Sequence, residues 1–176
     1  ATAKPLSIDT PDPALAAAAL EAYDPARAGG REPVLNSISQ LRLDMFDLHR
    51  IRPFRPILMA SERDEGGSCP NRTPEETHRT ALRLLDEAKA RLPGFRNDWA
   101  IVDPGIAPIG SDCEGQLRRV LDSLSLIRAD AELAARRLEE GRGTLSQLYR
   151  DHPQSAEAPS ALFRRARLLW NRDRTA

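Results

Sequence analysis

Residues 99–110 read WAIVDPGIAPIG. A short apolar run, Ala100–Ile101–Val102, ends in Asp103, and Pro104–Gly105 then breaks the strand. The pattern presents a carboxylate at the C-terminal tip of a strand, where α/β folds keep their chemistry. Two earlier stretches repeat the design. Residues 4–10, KPLSIDT, end in Asp9 and Thr10, and residues 32–39, EPVLNSIS, carry Asn36 near their end. Each is followed by a segment of helical pattern. Parallel strands that share one face would aim these polar tips at one ligand.

Outward from these tips the chain alternates strand with helix. Leu6–Ile8 reads as a strand. Asp12 is the expected N-cap of a helix with Pro13 at its first position, and Ala14–Ala22 continues it with Leu15, Ala18, Ala19 and Ala22 at helical spacing. Gly29–Gly30 marks the return to a strand at Val34–Leu35, and Gln40–Leu48 reads as a short helix with Leu41, Met45 and Leu48 on one face. Phe54–Met59 (FRPILM) is the next strand. Pro56 argues against a central place in a sheet unless it stands at the strand's beginning. Residues 60–73 read as a long polar loop, of the kind that binds ligands at strand ends.

Thr73–Pro74 with Glu76 forms a capping box, which starts a helix reaching about Leu92. Its apolar stripe is Ala81, Leu84, Leu85 and Ala88, and Pro93–Gly94 ends it. Trp99–Val102 is the fourth strand. Ser111 or Asp112 then caps a helix over Gly115–Ala129, with Leu117, Val120, Leu121 and Leu124 expected to face inward. Strands alternating with helices imply parallel, right-handed βαβ units, hence an α/β fold over residues 1–129.

Residues 130–176 break the rhythm. They read as a helical tail with breaks at Gly141–Gly143, and they end in a run holding Arg164, Arg165, Arg167, Arg172 and Arg174 against Asp173. A solvated helix face is the usual meaning of such a run. Two origins stay open for the tail. One is a genuine helical extension that docks a partner. The other is GC-rich coding DNA read out of frame, in which case Leu145–Ala176 should bury little.

The chain has 176 residues, enough for a sizeable core, and 26 basic residues balance 26 acidic ones. Zero net charge argues against an extended nucleic-acid surface. No apolar run reaches the roughly 20 residues of a membrane span, and the N-terminal residues lack a signal pattern, so the cytoplasm is the expected compartment. Cys69 and Cys113 are then expected as free thiols, without metal-site spacing. The acidic run Glu62, Asp64 and Glu65 reads as a solvated loop. His49, His78 and His152 have no partner spacing and read as non-catalytic. No metal is expected.

SIDT, LNSIS and IVDPGIAPIG, in this order with helices between them, resemble the pterin-binding family. That family includes dihydropteroate synthase and the methyltetrahydrofolate–corrinoid methyltransferases. Leu35–Asn36–Ser37 and the Pro108–Ile109–Gly110 turn after Asp103 are closer to the methyltransferases. The resemblance covers about Lys4–Ala129. It implies a (β/α)8 barrel, of which this chain carries about four strands, with a C-terminal helical tail. It also implies that Asp9, Asn36 and Asp103 bind a reduced pterin such as tetrahydrofolate. A corrinoid on a partner protein would then accept a methyl group. The chemistry agrees: a carboxylate accepts two parallel N–H bonds from a pterin's aminopyrimidone edge, and an Asn amide supplies one donor and one acceptor. Bland roles exist for each residue. Asp9 could cap a helix, Asn36 could hold a turn, and Asp103 could be a turn residue only.

The chain departs from the family at both ends. It opens at what would be the third barrel strand. Ala134–Ala135–Arg136–Arg137 stands where a strand with a GLSN-like tip is due, so methyl transfer is expected only if missing strands are supplied. Open sheet edges would invite pairing with another copy. The alternatives are a non-catalytic subunit or binding module, and a dihydropteroate synthase-like enzyme.

Overall fold

In a computed structural model of the chain, the described residues are 4–96, 99–106, 115–134, 143–147 and 150. Their elements run β1 (Ser7–Asp9), α1 (Pro13–Ala22), a 3-10 turn (Pro25–Ala28), β2 (Val34–Ile38) and a 3-10 segment (Gln40–Arg50). Then come β3 (Arg55–Met59), β4 (Glu62–Asp64), β5 (Ser68–Pro70), α2 (Pro74–Arg91), β6 (Ile101–Asp103) and α3 (Gln116–Ala134). The chain divides into two compact units, Ala1–Asn71 with Arg79–Gly105, and Arg72–His78 with Ile106–Ala176.

The first unit is α/β. Its four-stranded sheet has the order β1-β2-β3-β6, and every pair in it is parallel. Pro56 sits inside β3, which has neighbours on both sides, contrary to the expectation of a non-central place. The reason is hydrogen-bond parity. Arg55 N donates to Pro33 O on the β2 side, so the missing N–H of Pro56 lies on the β6 side. Pairing with β6 begins only at Ile57 opposite Ile101. No ladder bond is lost.

Local chemistry starts the first helix as expected. Asp12 accepts from the N–H groups of Ala14 and Leu15, with Pro13 at the helix start. One face of the sheet is then covered. Leu35, Ile38 and Leu58 are buried with Ala16 and Leu20 of α1, Met45, Phe46 and Phe54, and Leu84, Ala88 and Leu92 along α2. The expected stripe of α2 is thus the one that packs: Ala81, Leu84 and Ala88 have no exposed surface.

Two expectations are corrected in this unit. Residues 40–50 form 3-10 turns with a break at Arg42, and the buried pair is Met45 and Phe46, while Leu41 is exposed. Met45 and Leu48 do pack inward as expected; Phe46 joins them because 3-10 turns with a break at Arg42 do not keep the period of an α-helix. Residues 60–73 are not a plain loop, for β4 and β5 pair there as an antiparallel hairpin. Asp64 Oδ1 accepts from Gly66 N and Gly67 N, and Gly66 adopts φ +82°, so a side-chain-to-backbone turn closes the hairpin.

The second unit holds the capping box. Glu76 N donates to Thr73 Oγ1 at 3.2 Å, and Glu76 Oε2 accepts from Thr73 N and Arg72 N. Here the inward face of α3 is corrected. Val120 is buried, but Leu117, Leu121 and Leu124 are exposed, and Arg119, Asp122 and Ser123 are buried instead. Hydrogen bonds offset part of the polar burial: Arg119 Nη1 donates to Thr77 Oγ1 at 2.7 Å, and Ser123 Oγ donates to Arg119 O at 2.6 Å. Leu145 is buried in a small cluster with Leu126 and Ala129. Leu126 and Ala129 lie three apart on one helix face and offer Leu145 an apolar seat. Residues 107–114, Cys113 among them, and residues 151–176, with His152 and the arginine run, lie outside the described residues.

Candidate functional site

The strands alternate in burial. Ile8, Leu35, Leu58 and Val102 point toward the helix side, where Leu35 and Leu58 are fully buried. The opposite parity carries Asp9, Asn36, Ile57, Met59, Ile101 and Asp103, all of them half-buried or exposed. The polar tips therefore share the face of the sheet opposite these helices.

Asp9 is the last residue of β1 and stands opposite Asn36 in the β1–β2 register. Asn36 in turn stands opposite Ile57 on β3. Asp103 is the last residue of β6 and stands opposite Met59, one side-chain repeat farther along the same face. Asp9 and Asn36 are therefore neighbours, while Asp103 is two strands from Asn36, about 10 Å across the sheet. All three lie toward the C-terminal ends of parallel strands, and β3 separates the pair from the third.

The bland roles sort differently. Helix capping falls to Asp12, not Asp9, since Asp12 accepts both N-terminal amides of α1. Asp103 does hold a turn: its Oδ1 accepts from Gly105 N at 2.8 Å. Gly105 has φ +72°, and a Cβ there would run into the Ser61 side chain. Asp103 O also accepts from Ala60 N at 2.7 Å, so its backbone is held from β3 as well.

Two features escaped sequence reading. The β2–β3 register shifts between Asn36 and Ile38, an irregularity of the kind that re-aims side chains beside sites. The Asn36–Ser37 peptide is cis. Ser37 Oγ lies 3.6 Å from Met59 Sδ, joining the tips of β2 and β3. The β4–β5 hairpin follows β3 directly and carries the second feature, an ion-pair cluster. Arg63 Nε donates to Glu65 Oε1 at 2.7 Å, and Arg63 Nη1 donates to Pro70 O and Asn71 Oδ1. Hydrogen bonds from Arg63 and Cys69, with the Arg63 charge, hold the Glu65 carboxyl below the usual carboxylate range. Asn71 anchors this segment through Nδ2, which donates to Ala60 O and Thr80 Oγ1.

No cluster of three or more His, Cys, Asp or Glu side chains suited to a metal occurs among the described residues. His49 Nδ1 bonds locally to Phe46 O. In the second unit His78, without a partner by spacing, is buried with Nε2 2.7 Å from Asp130 Oδ2. That partner lies 52 residues away, out of reach of motif reading. A cleft of about 420 Å³ lies at the other end of the strands, lined in part by Arg31, Glu32, Arg55, Arg96 and Trp99. Trp99 Nε1 donates to Glu32 and Arg55 Nε donates to Trp99 O, so these groups knit the strand entrances together.

No helix among the described residues is long and apolar enough to cross a membrane. Compared with known proteins, the chain matches no family model, no curated protein and no solved structure.

Proposed function

We propose that the face of the sheet opposite α1 and α2 binds a reduced pterin of the folate type, and that the sheet is part of a (β/α)8 barrel of the pterin-binding methyltransferase kind. The observation that carries the reading is the pairing of Asp9 with Asn36, side by side on one face at the strands' C-terminal ends. A carboxylate there accepts two parallel N–H bonds from the aminopyrimidone edge. The neighbouring amide both donates and accepts, so a ligand with the wrong edge covers these groups without pairing them. Asp103, on the same face, bounds the ligand from β6. These residues bind and orient. In the methyltransferase reading a corrinoid held by a partner protein would accept the pterin's methyl group.

Calorimetric titration of the full chain with 5-methyltetrahydrofolate tests the reading. Asp9→Asn and Asn36→Ala should each weaken binding by roughly 1–3 kcal/mol, the usual cost of an unpaired partner. Asp9 is exposed and caps nothing, so its variant leaves the fold intact. Equal affinity of both variants and wild type removes the site. Absence of binding to all three leaves the chain as a non-catalytic module.

A further inference from the structure

The cleft of about 420 Å³ at the strands' N-terminal ends lies wholly within the first unit, at the opposite end of the sheet from Asp9, Asn36 and Asp103. Its size is that of a small-molecule site. The guanidinium groups of Arg31, Arg55 and Arg96 line it against one carboxylate, that of Glu32. Three separate segments supply these charges. Arg31 precedes β2, Arg55 opens β3 and Arg96 follows α2. The nearest residues in sequence outside the described ones are 1–3, 97 and 98, and they hold a single charged side chain, Asp98. With Asp98 counted at the cleft the balance stays positive, in a chain whose net charge is zero.

The acid and the ring are engaged with each other. Trp99 Nε1 donates to Glu32 Oε2 at 2.7 Å, and Trp99 O accepts from Arg55 Nε at 3.2 Å. These bonds set the indole as a wall of the cleft and spend one N–H of the Arg55 fork. All three arginines are exposed, within reach of a solute. Like charges gathered around one cleft repel, and an anion seated among them relieves the repulsion.

We propose that this cleft binds a phosphate group through Arg31, Arg55 and Arg96. Guanidinium groups meet phosphate oxygens two bonds at a time, which a halide cannot reproduce. Trp99 beside them offers a flat surface to a ring attached to the phosphate. The inference concerns the strand entrances and does not rest on pterin binding.

NMR titration of the full chain with inorganic phosphate, and separately with adenosine 5′-monophosphate, tests it at an ionic strength held constant with sodium chloride. The Trp99 indole N–H and the amides of Arg31 and Glu32 should shift and saturate, with a dissociation constant of about 1 mM or below. Arg31→Gln, at an exposed position, should weaken binding about tenfold. Glu32→Gln keeps an oxygen for the indole N–H and removes the negative charge, so it should tighten binding about threefold. A structural role for these side chains would produce neither change. Tighter binding of the nucleotide than of phosphate assigns a ring-bearing ester, and equal binding assigns the phosphate group alone; both support the site. Two results overturn the proposal. One is the absence of a saturable shift with either probe. The other is equal affinity of wild type, Arg31→Gln and Glu32→Gln.

Discussion

The backbone N–H of Gly105 donates to Oδ1 of Asp103 across 2.8 Å, closing the tip of β6 into a tight turn. Gly105 needs its left-handed φ of +72°, and it lies against Ser61 with no room for a side chain. Gly105→Ala should therefore cost roughly 1–3 kcal/mol, the sum of a left-handed penalty and a steric clash. Urea denaturation measures it. An unchanged midpoint would mean that the turn relaxes and that Asp103 is not held as described.

Leu58 is fully buried between the helices, whereas Leu15 on α1 is 61% exposed. Leu58→Ala should destabilise the fold by about 2–5 kcal/mol through lost contacts and a cavity. Leu15→Ala should stay within about 0.5 kcal/mol of wild type. Thermal melts of the two variants would show whether the covered face of the sheet carries the stability.

The buried guanidinium of Arg119 donates to Thr77 Oγ1, and burial lowers its pKa from the ordinary arginine value. Thr77→Val keeps the shape but removes the acceptor, at an expected cost of about 1–3 kcal/mol. Thr77→Ser retains the hydroxyl and should lie nearer wild type. A Val variant as stable as the Ser variant would show that the hydroxyl contributes nothing.

Glu65 ionises below the usual carboxylate range because Arg63 and Cys69 bond to it. A depressed folded-state pKa adds stability above the unfolded-state value and loses it as pH falls through the folded one. The carboxyl is fully exposed, so the test is its titration rather than a melt. In an NMR titration Arg63→Gln should move the Glu65 midpoint up toward an ordinary glutamate. A midpoint unmoved by that change would assign the shift to another cause.

What the sequence determined by itself is what depends on neighbours within a few residues. Asp12 caps α1, Thr73 and Glu76 close their box, and the stripe on α2 packs where its spacing places it. Strand tips at Asp9 and Asp103 were legible for the same reason: a short apolar run ends at a polar residue before a breaker. Each of these interactions spans about one helical turn or less, so residue order alone specifies it.

Tertiary structure decided everything whose partner is distant. Hairpin β4–β5 pairs polar residues, so no apolar alternation announced it. The buried side of α3 follows Thr77, 42 residues away from Arg119, and this contact sets Arg119, Asp122 and Ser123 inward against the pattern of the leucines. His78 waits on Asp130 in the same way. In the site, the sequence placed three polar tips on strands, but only pairing made Asp9 and Asn36 neighbours and left Asp103 beyond β3. Hydrophobic spacing ranks the faces of an isolated element. Which face is buried depends on the polar partners that other elements bring to it, and those become known only when the chain is folded.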